Sequence, residues 1–176
     1  MQGNVYLIGL MGAGKTTVGR KLAELLLLDF IDIDQLVEQR TGVSISHIFE
    51  IEGESGFRDR EAKLLAEASA GRQAVISTGG GIILRPENRR VMRKHGQVVY
   101  LRASLKILWQ RLKDCQTRPL LQQPDPKAKL TQLMLERDPL YADEADIIVE
   151  AGADSASASA REIYSLITSA DCPARG

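Results

Sequence analysis

The stretch "GLMGAGKTTVGR", Gly9 to Arg20, decides the reading of the fold. Gly9, Gly14, Lys15 and Thr16 satisfy the spacing G-x-x-x-x-G-K-[ST], with Gly12 as an extra glycine inside it. Glycines at such a turn let successive backbone N–H groups converge on phosphate oxygens. The helix that follows points its positive end at the same place. Lys15 is expected to reach the β- and γ-phosphates of a nucleotide, and the Thr16 hydroxyl to ligate Mg²⁺. The nucleotide site is thus expected over Gly12, Ala13, Gly14, Lys15, Thr16 and Thr17. The context supports it: "NVYLIGL" before the loop reads as a buried strand, and Val18, Leu22, Leu25 and Leu26 after it fall on one helical face. The loop alone does not separate a kinase from a GTPase switch or a motor.

Outward from this loop the pattern alternates. "FIDID", "AVISTGGG", "QVVYLRAS" and "ADIIVEAG" read as four further strands. Helical segments lie between them. Ser44 caps "SISHIFE", and "SGFRDREAKLLAEASAG" stops at Gly71. "PENRRVMRKHG" runs from Pro86 to Gly96, and Ser104 caps "SLKILWQRLK". "DPKAKLTQLMLER" and "SAREIYSLITSA" complete the set. Strand–helix alternation implies a parallel sheet between helical layers, in one domain spanning residues 1–176. In such sheets ligands bind at the carboxyl ends of the strands. Gly9 to Thr16, Asp32 with Asp34, and Gly79 to Gly81 all lie there.

"DFIDIDQLVE" offers two carboxylates two residues apart. In an extended segment Asp32 and Asp34 would point the same way, one toward a metal and one toward a substrate hydroxyl. Alternatively, Asp34 caps a helix beginning at Gln35. Arg58, Arg118 and Arg137 suit bidentate recognition of carboxylate or phosphate, or are surface arginines. The segment 114–125, with its prolines, reads as a mobile lid or an ordinary connector.

The 176 residues carry 23 basic and 23 acidic side chains. A neutral balance argues against a nucleic-acid partner held by a basic surface. Cys115 and Cys172 form neither a disulfide framework nor a metal cluster, which fits a reducing, cytoplasmic setting. Glycines and Lys15 cut short the apolar run at the N-terminus, so no targeting signal is read there, and "LAELLLLDF" is too short for a membrane span. His47 and His95 have no partners at metal-ligand spacing. Trp109 and Tyr164 read as packing residues. The tail 170–176 is expected to be flexible.

Taken in order, "GLMGAGKTTVGR", "DIDQLVE", "IFEIEGESGFRDRE", "STGGGIILRPENR", "LRASLKILWQRL", "RPLL" and "ERDPLYADEAD" resemble the shikimate kinases, small P-loop kinases of the nucleoside monophosphate kinase type. The resemblance runs to about Val149. It implies a three-layer α/β/α fold with a five-stranded parallel sheet in the order 2-3-1-4-5 and a mobile lid. It implies transfer of the γ-phosphoryl group of ATP to the 3-hydroxyl of shikimate with Mg²⁺, a step of chorismate and aromatic amino-acid biosynthesis. Asp34 would hold the reacting hydroxyl, and Arg58 and Arg137 the shikimate carboxylate, with Gly80 and Gly81 giving backbone contacts in a binding region of about 34–61. Arg118 would swing from the lid onto the phosphates, joining Asp34 and Lys15 as catalytic groups. Asp32 would sit in the outer shell of the metal, and Arg111 beside the adenine. A monomer is expected, with no nucleic-acid or membrane partner. Two departures stand out. Ile33 replaces the serine common between the aspartates, and "EAGADSAS" lacks the proline often found beside the adenine. The alternatives are another small P-loop kinase, such as a gluconate kinase, and a nucleotide-binding switch that transfers nothing.

Overall fold

A computed structural model describes residues 3–113, 119–122, 124–152 and 155–169. Its elements run β1 (Asn4–Ile8), α1 (Lys15–Leu26), β2 (Asp29–Asp32), α2 (Ile33–Thr41), α3 (Ile45–Ala70), β3 (Ala74–Ser77), α4 (Pro86–His95), β4 (Gly96–Arg102), α5 (Leu105–Leu112), α6 (Pro126–Glu144), β5 (Ile147–Glu150) and α7 (Ala156–Thr168). Short 3-10 turns occupy Ile82–Leu84 and Pro119–Leu121. The five strands pair in parallel in the order β2-β3-β1-β4-β5, with helices layered on both faces. This is the expected architecture and strand order.

The central strand explains the arrangement. Every residue of β1 is buried, as a parallel strand covered on both faces requires. Val5 registers with Val75 of β3 and with Gln97 of β4. The Asn4 side chain closes the lower end of the sheet, donating to the Ser69 carbonyl and accepting from the Ala74 N–H. All strand carboxyl ends therefore open on one side, where the loops gather.

Several expectations need correction. The second strand ends at Asp32 rather than carrying both aspartates. Asp32 caps α2, its Oδ1 accepting from the Gln35 N–H at 3.2 Å. The cap thus falls on Asp32 instead of Asp34, and Asp34 belongs to the first turn of α2. Burial of Ile33 in the core accompanies this early helix start. On α1 the buried stripe is Val18, Gly19, Leu22 and Ala23, while Leu25 is exposed. The reason is Gly19: a Cβ there would lie 2.6 Å from the Phe30 ring, so the helix seats its small residues against the sheet. The expectation of two helical segments over 44–71 holds: α3 is broken by a kink at Gly53, whose φ is 68°. Helix α6 continues through Pro139 to Glu144, beyond the expected end at Arg137.

A main core surrounds the sheet. A smaller cluster of Val37, Ile48, Phe57 and Leu64 lies between α2 and α3. It gives the 34–61 region packing of its own, with Phe49 and Phe57 in ring contact at 5.1 Å. Trp109 packs against the main core as expected, but Tyr164 is partly exposed. The expected tail (170–176), half of the expected lid (114–118 and 123), Arg118, Cys115 and Cys172 lie outside the described residues.

Candidate active site

The β1–α1 loop is held by its own chain. Gly14 caps α1 in the left-handed region, with φ 96°. Lys15 opens the helix and is buried; its Nζ donates to the carbonyls of Gly9 at 2.8 Å and Leu10 at 2.9 Å. Its ammonium therefore stays over the loop rather than in solvent. Thr16 Oγ1 donates to Asp32 Oδ2 at 2.7 Å, while the other Asp32 oxygen caps α2. One carboxylate thus ties the loop helix to the end of β2. From α5, Arg111 Nη1 donates to the Gly12 carbonyl at 2.9 Å.

The opposite wall is built from side-chain charges. Arg58, buried on α3, donates through Nη1 to Glu61 Oε2 at 2.8 Å and through Nη2 to Glu54 Oε1 at 3.0 Å. Both partners share the Arg58 face, at i+3 and i−4. On α6, Arg137 Nη1 donates to the Gly80 carbonyl at 3.1 Å, and the Tyr141 hydroxyl donates to the same oxygen. The loop between β3 and the 3-10 turn at Ile82–Leu84 passes between these helices with almost no clearance. A Cβ on Gly79 would lie 2.4 Å from Glu61 Oε1 and 2.9 Å from Asp34 Oδ1. A Cβ on Gly81 would lie 2.1 Å from the Arg58 guanidinium carbon.

The electrostatics are those of paired charges withdrawn from water. Burial pushes the Glu61 carboxyl above its ordinary range; the neighbouring Arg58 pulls it back, and Asp34 adds repulsion. Burial alone would lower Arg58, but the Glu61 and Glu54 carboxylates outweigh it and the guanidinium is held more firmly protonated. Burial also raises the Tyr141 hydroxyl, against the pull of Arg137. Glu61 Oε1 and Arg137 Nε are buried with no hydrogen-bond partner among the described residues. Such groups are costly unless something completes them.

The two walls face one cavity of about 940 Å³. Gly12, Ala13, Gly14, Lys15, Thr16 and Thr17 line it on one side, and Asp34, Arg58, Gly80, Gly81 and Arg137 on the other, with Asp32 and Arg111 at its edge of the loop. Every expected site residue among those described is therefore in one place. His47 is away from it, exposed and paired with Glu50 at 3.6 Å. Sequence reasoning did not single out Glu61, Glu54 or Tyr141. Their signals were present as spacing: Glu61 three residues after Arg58, and Tyr141 four after Arg137. Nor did it assign the cavity lining at Ala151, Gly152, Ala156 and Ser159.

The profile of the shikimate kinase family matches residues 11–168. The shikimate kinase of Nitrosospira multiformis is 48% identical over 166 residues, covering 94% of this chain and 85% of that protein. The shikimate kinase of Burkholderia thailandensis is 55% identical over 152 residues, covering 86% of this chain and 83% of that protein. Among solved structures, the shikimate kinase from Acinetobacter baumannii in complex with shikimate superposes with a TM-score of 0.92 at 45% identity, covering 95% of this chain and 93% of that one.

Proposed function

The chain belongs to the shikimate kinase family, and from that premise we propose how its cavity divides the work of phosphorylating shikimate with ATP. The donor wall holds the nucleotide: backbone N–H groups from Gly12 to Thr17 cradle the phosphates and Lys15 turns from the loop carbonyls toward them. Arg111 lies at the nucleotide end. Arg118, outside the described residues, is the lid group that would add positive charge at the transferring phosphoryl. Thr16 would ligate Mg²⁺ directly and Asp32 through water, and the ion, when bound, draws charge from the phosphates. The hydroxyl–carboxylate pair they form at 2.7 Å suits a hard, oxygen-preferring cation.

The acceptor wall holds shikimate. Arg58 and Arg137 would take its carboxylate, and Gly80 and Gly81 would add backbone contacts. Asp34 would accept the hydrogen bond of the reacting hydroxyl and aim its oxygen at the γ-phosphorus. In this reading Asp34 orients the hydroxyl rather than fully removing the proton beforehand. Phosphoryl transfer needs mainly such positioning and charge neutralisation. Closure of the 114–125 segment would exclude water and limit idle ATP hydrolysis.

The observation that carries this reading is the buried Arg58–Glu61 pair beside Arg137, across one cavity from Lys15. A switch protein has no need of that second wall, and two buried arginines suit a substrate that carries a carboxylate. We read the protein as a monomer acting in the cytoplasm; among the described residues no helix is long and apolar enough to cross a membrane. The test is ADP release, coupled to an optical readout, with shikimate, with gluconate and with no acceptor. Shikimate is expected to raise the rate well above the other two. A rate that shikimate does not raise overturns the reading.

A further inference from the structure

Behind the acceptor wall lies a cluster set apart from the cavity lining. Tyr100 and Arg102 stand two residues apart on β4 and so project to the same face of the sheet. Both reach Asp138 on α6. The Tyr100 hydroxyl donates to Asp138 Oδ1 at 2.6 Å, and Arg102 donates through Nε to Oδ1 at 3.1 Å and through Nη2 to Oδ2 at 3.0 Å. None of the three is among the residues lining the cavity. Bidentate, charge-assisted contacts of this kind fix geometry more tightly than single bonds. The proximity of Arg102 holds the Asp138 carboxyl below its usual range, and burial first, then the Asp138 carboxylate, push the Tyr100 hydroxyl up.

Asp138 is the neighbour of Arg137 in the chain. Because Arg102 engages both of its oxygens, Asp138 is committed to β4 and Arg137 keeps its guanidinium for the cavity. The same tyrosine acts in a second way. Its ring packs on Tyr141 with centroids 5.0 Å apart, and Tyr141 shares the Gly80 carbonyl with Arg137. The ring also lies near Gly9, where a Cβ would sit 3.4 Å from its edge atoms Cδ2 and Cε2. One side chain therefore spans the start of the phosphate loop, the helix that carries Arg137 and the partner of Gly80.

We infer that Asp138, gripped by Tyr100 and Arg102, is a positioning residue that sets the register of α6 and so the placement of Arg137 and Gly80 for the acceptor. The inference rests on the reading of Arg137 as a carboxylate clamp. A misplacement of such a clamp by a fraction of a turn is enough to weaken binding of a rigid substrate.

Steady-state kinetics with each substrate varied provide the test. Asp138→Ala is expected to raise KM for shikimate about tenfold, the worth of a hydrogen bond to a charged group. KM for ATP should stay within about twofold, the pattern of a lost binding contribution on one side only. Asp138→Asn keeps one acceptor oxygen for Tyr100 and Arg102 Nε but sets an amide NH2 against Arg102 Nη2, so an intermediate rise of about threefold is expected. Tyr100→Phe keeps the ring and loses only the hydroxyl; about a threefold rise is expected from one neutral bond. If Asp138→Ala does not fold, Asp138→Asn and Tyr100→Phe decide between the outcomes. A shikimate KM that stays at the wild-type value in the folded variants overturns the inference, even if their melting temperatures fall. So does an equal rise in both KM values, which would mean general loosening. Arg137→Lys separates the two levels. A raised shikimate KM there, with wild-type values in the Asp138 and Tyr100 variants, removes this inference alone. An unchanged KM in Arg137→Lys removes the clamp reading and this inference together.

Discussion

The glycines of the donor loop and those of the acceptor loop solve different problems. Gly12 and Gly14 have φ of 82° and 96°, conformations that side chains rarely adopt. They are glycines because of their own backbone. Gly81 has φ −96°, open to any residue. It is glycine because the Arg58 guanidinium, arriving from α3, fills the space a Cβ would take. Gly79 is crowded in the same way by Glu61 and Asp34. The phosphate cradle of the donor wall is thus written into one contiguous stretch, whereas the acceptor wall is a meeting of four stretches that only the fold brings together.

The largest expected effect strikes where the walls meet. Asp34→Asn keeps shape but lowers the ability to orient a hydroxyl, so kcat should fall by about 10²–10⁴-fold. ATP affinity, read by calorimetry, should persist, because Asp34 belongs to the acceptor wall. Near-normal turnover would remove Asp34 from the chemistry.

Next come the glycines, which break the comparison if their effects are alike. Gly81→Ala overpacks Arg58, at a cost of about 1–3 kcal/mol, so shikimate KM should rise roughly 5- to 150-fold with little change for ATP. Gly14→Ala strains the backbone by about 1–2 kcal/mol and should weaken ATP instead, by roughly tenfold. The comparison collapses if each variant weakens both substrates equally.

The smallest effect sharpens it by pH. Burial raises the Glu61 carboxyl in the folded chain above its unfolded value. The folded state therefore holds the extra proton. The associated stability is fully present below the ordinary glutamate range and is lost as pH rises through the raised folded value. Denaturant titrations should show wild-type stability declining across that window, and Glu61→Gln should have a flatter profile. Parallel profiles would mean that Glu61 titrates as it does when unfolded.

How much of this was readable in the sequence follows the same division. The phosphate loop, its strand and its helix were visible because they depend on local conformation and period. The sheet order was visible only through the family resemblance, since pairing is non-local. Asp32 and Asp34 were assigned to one extended segment because alternation says nothing of where a helix starts; the cap on Asp32 Oδ1 decided that. Leu25 was placed inward by periodicity, and the close seating of Gly19 under Phe30 turned it outward. Glu61 closes "IFEIEGESGFRDRE" three residues after Arg58, so the spacing offers the pair; that Glu61 is fully buried follows from the packing and is not legible in the spacing.

The central claim is that Arg58 and Arg137 hold the shikimate carboxylate on a wall separate from the nucleotide. Calorimetric titration of Arg58→Lys with shikimate and, separately, with ADP tests it directly. Lysine lacks the bidentate fork. The account predicts shikimate binding weaker by about tenfold or more and ADP binding within about twofold of wild type. Unchanged shikimate affinity, or equal weakening of both ligands, would contradict it.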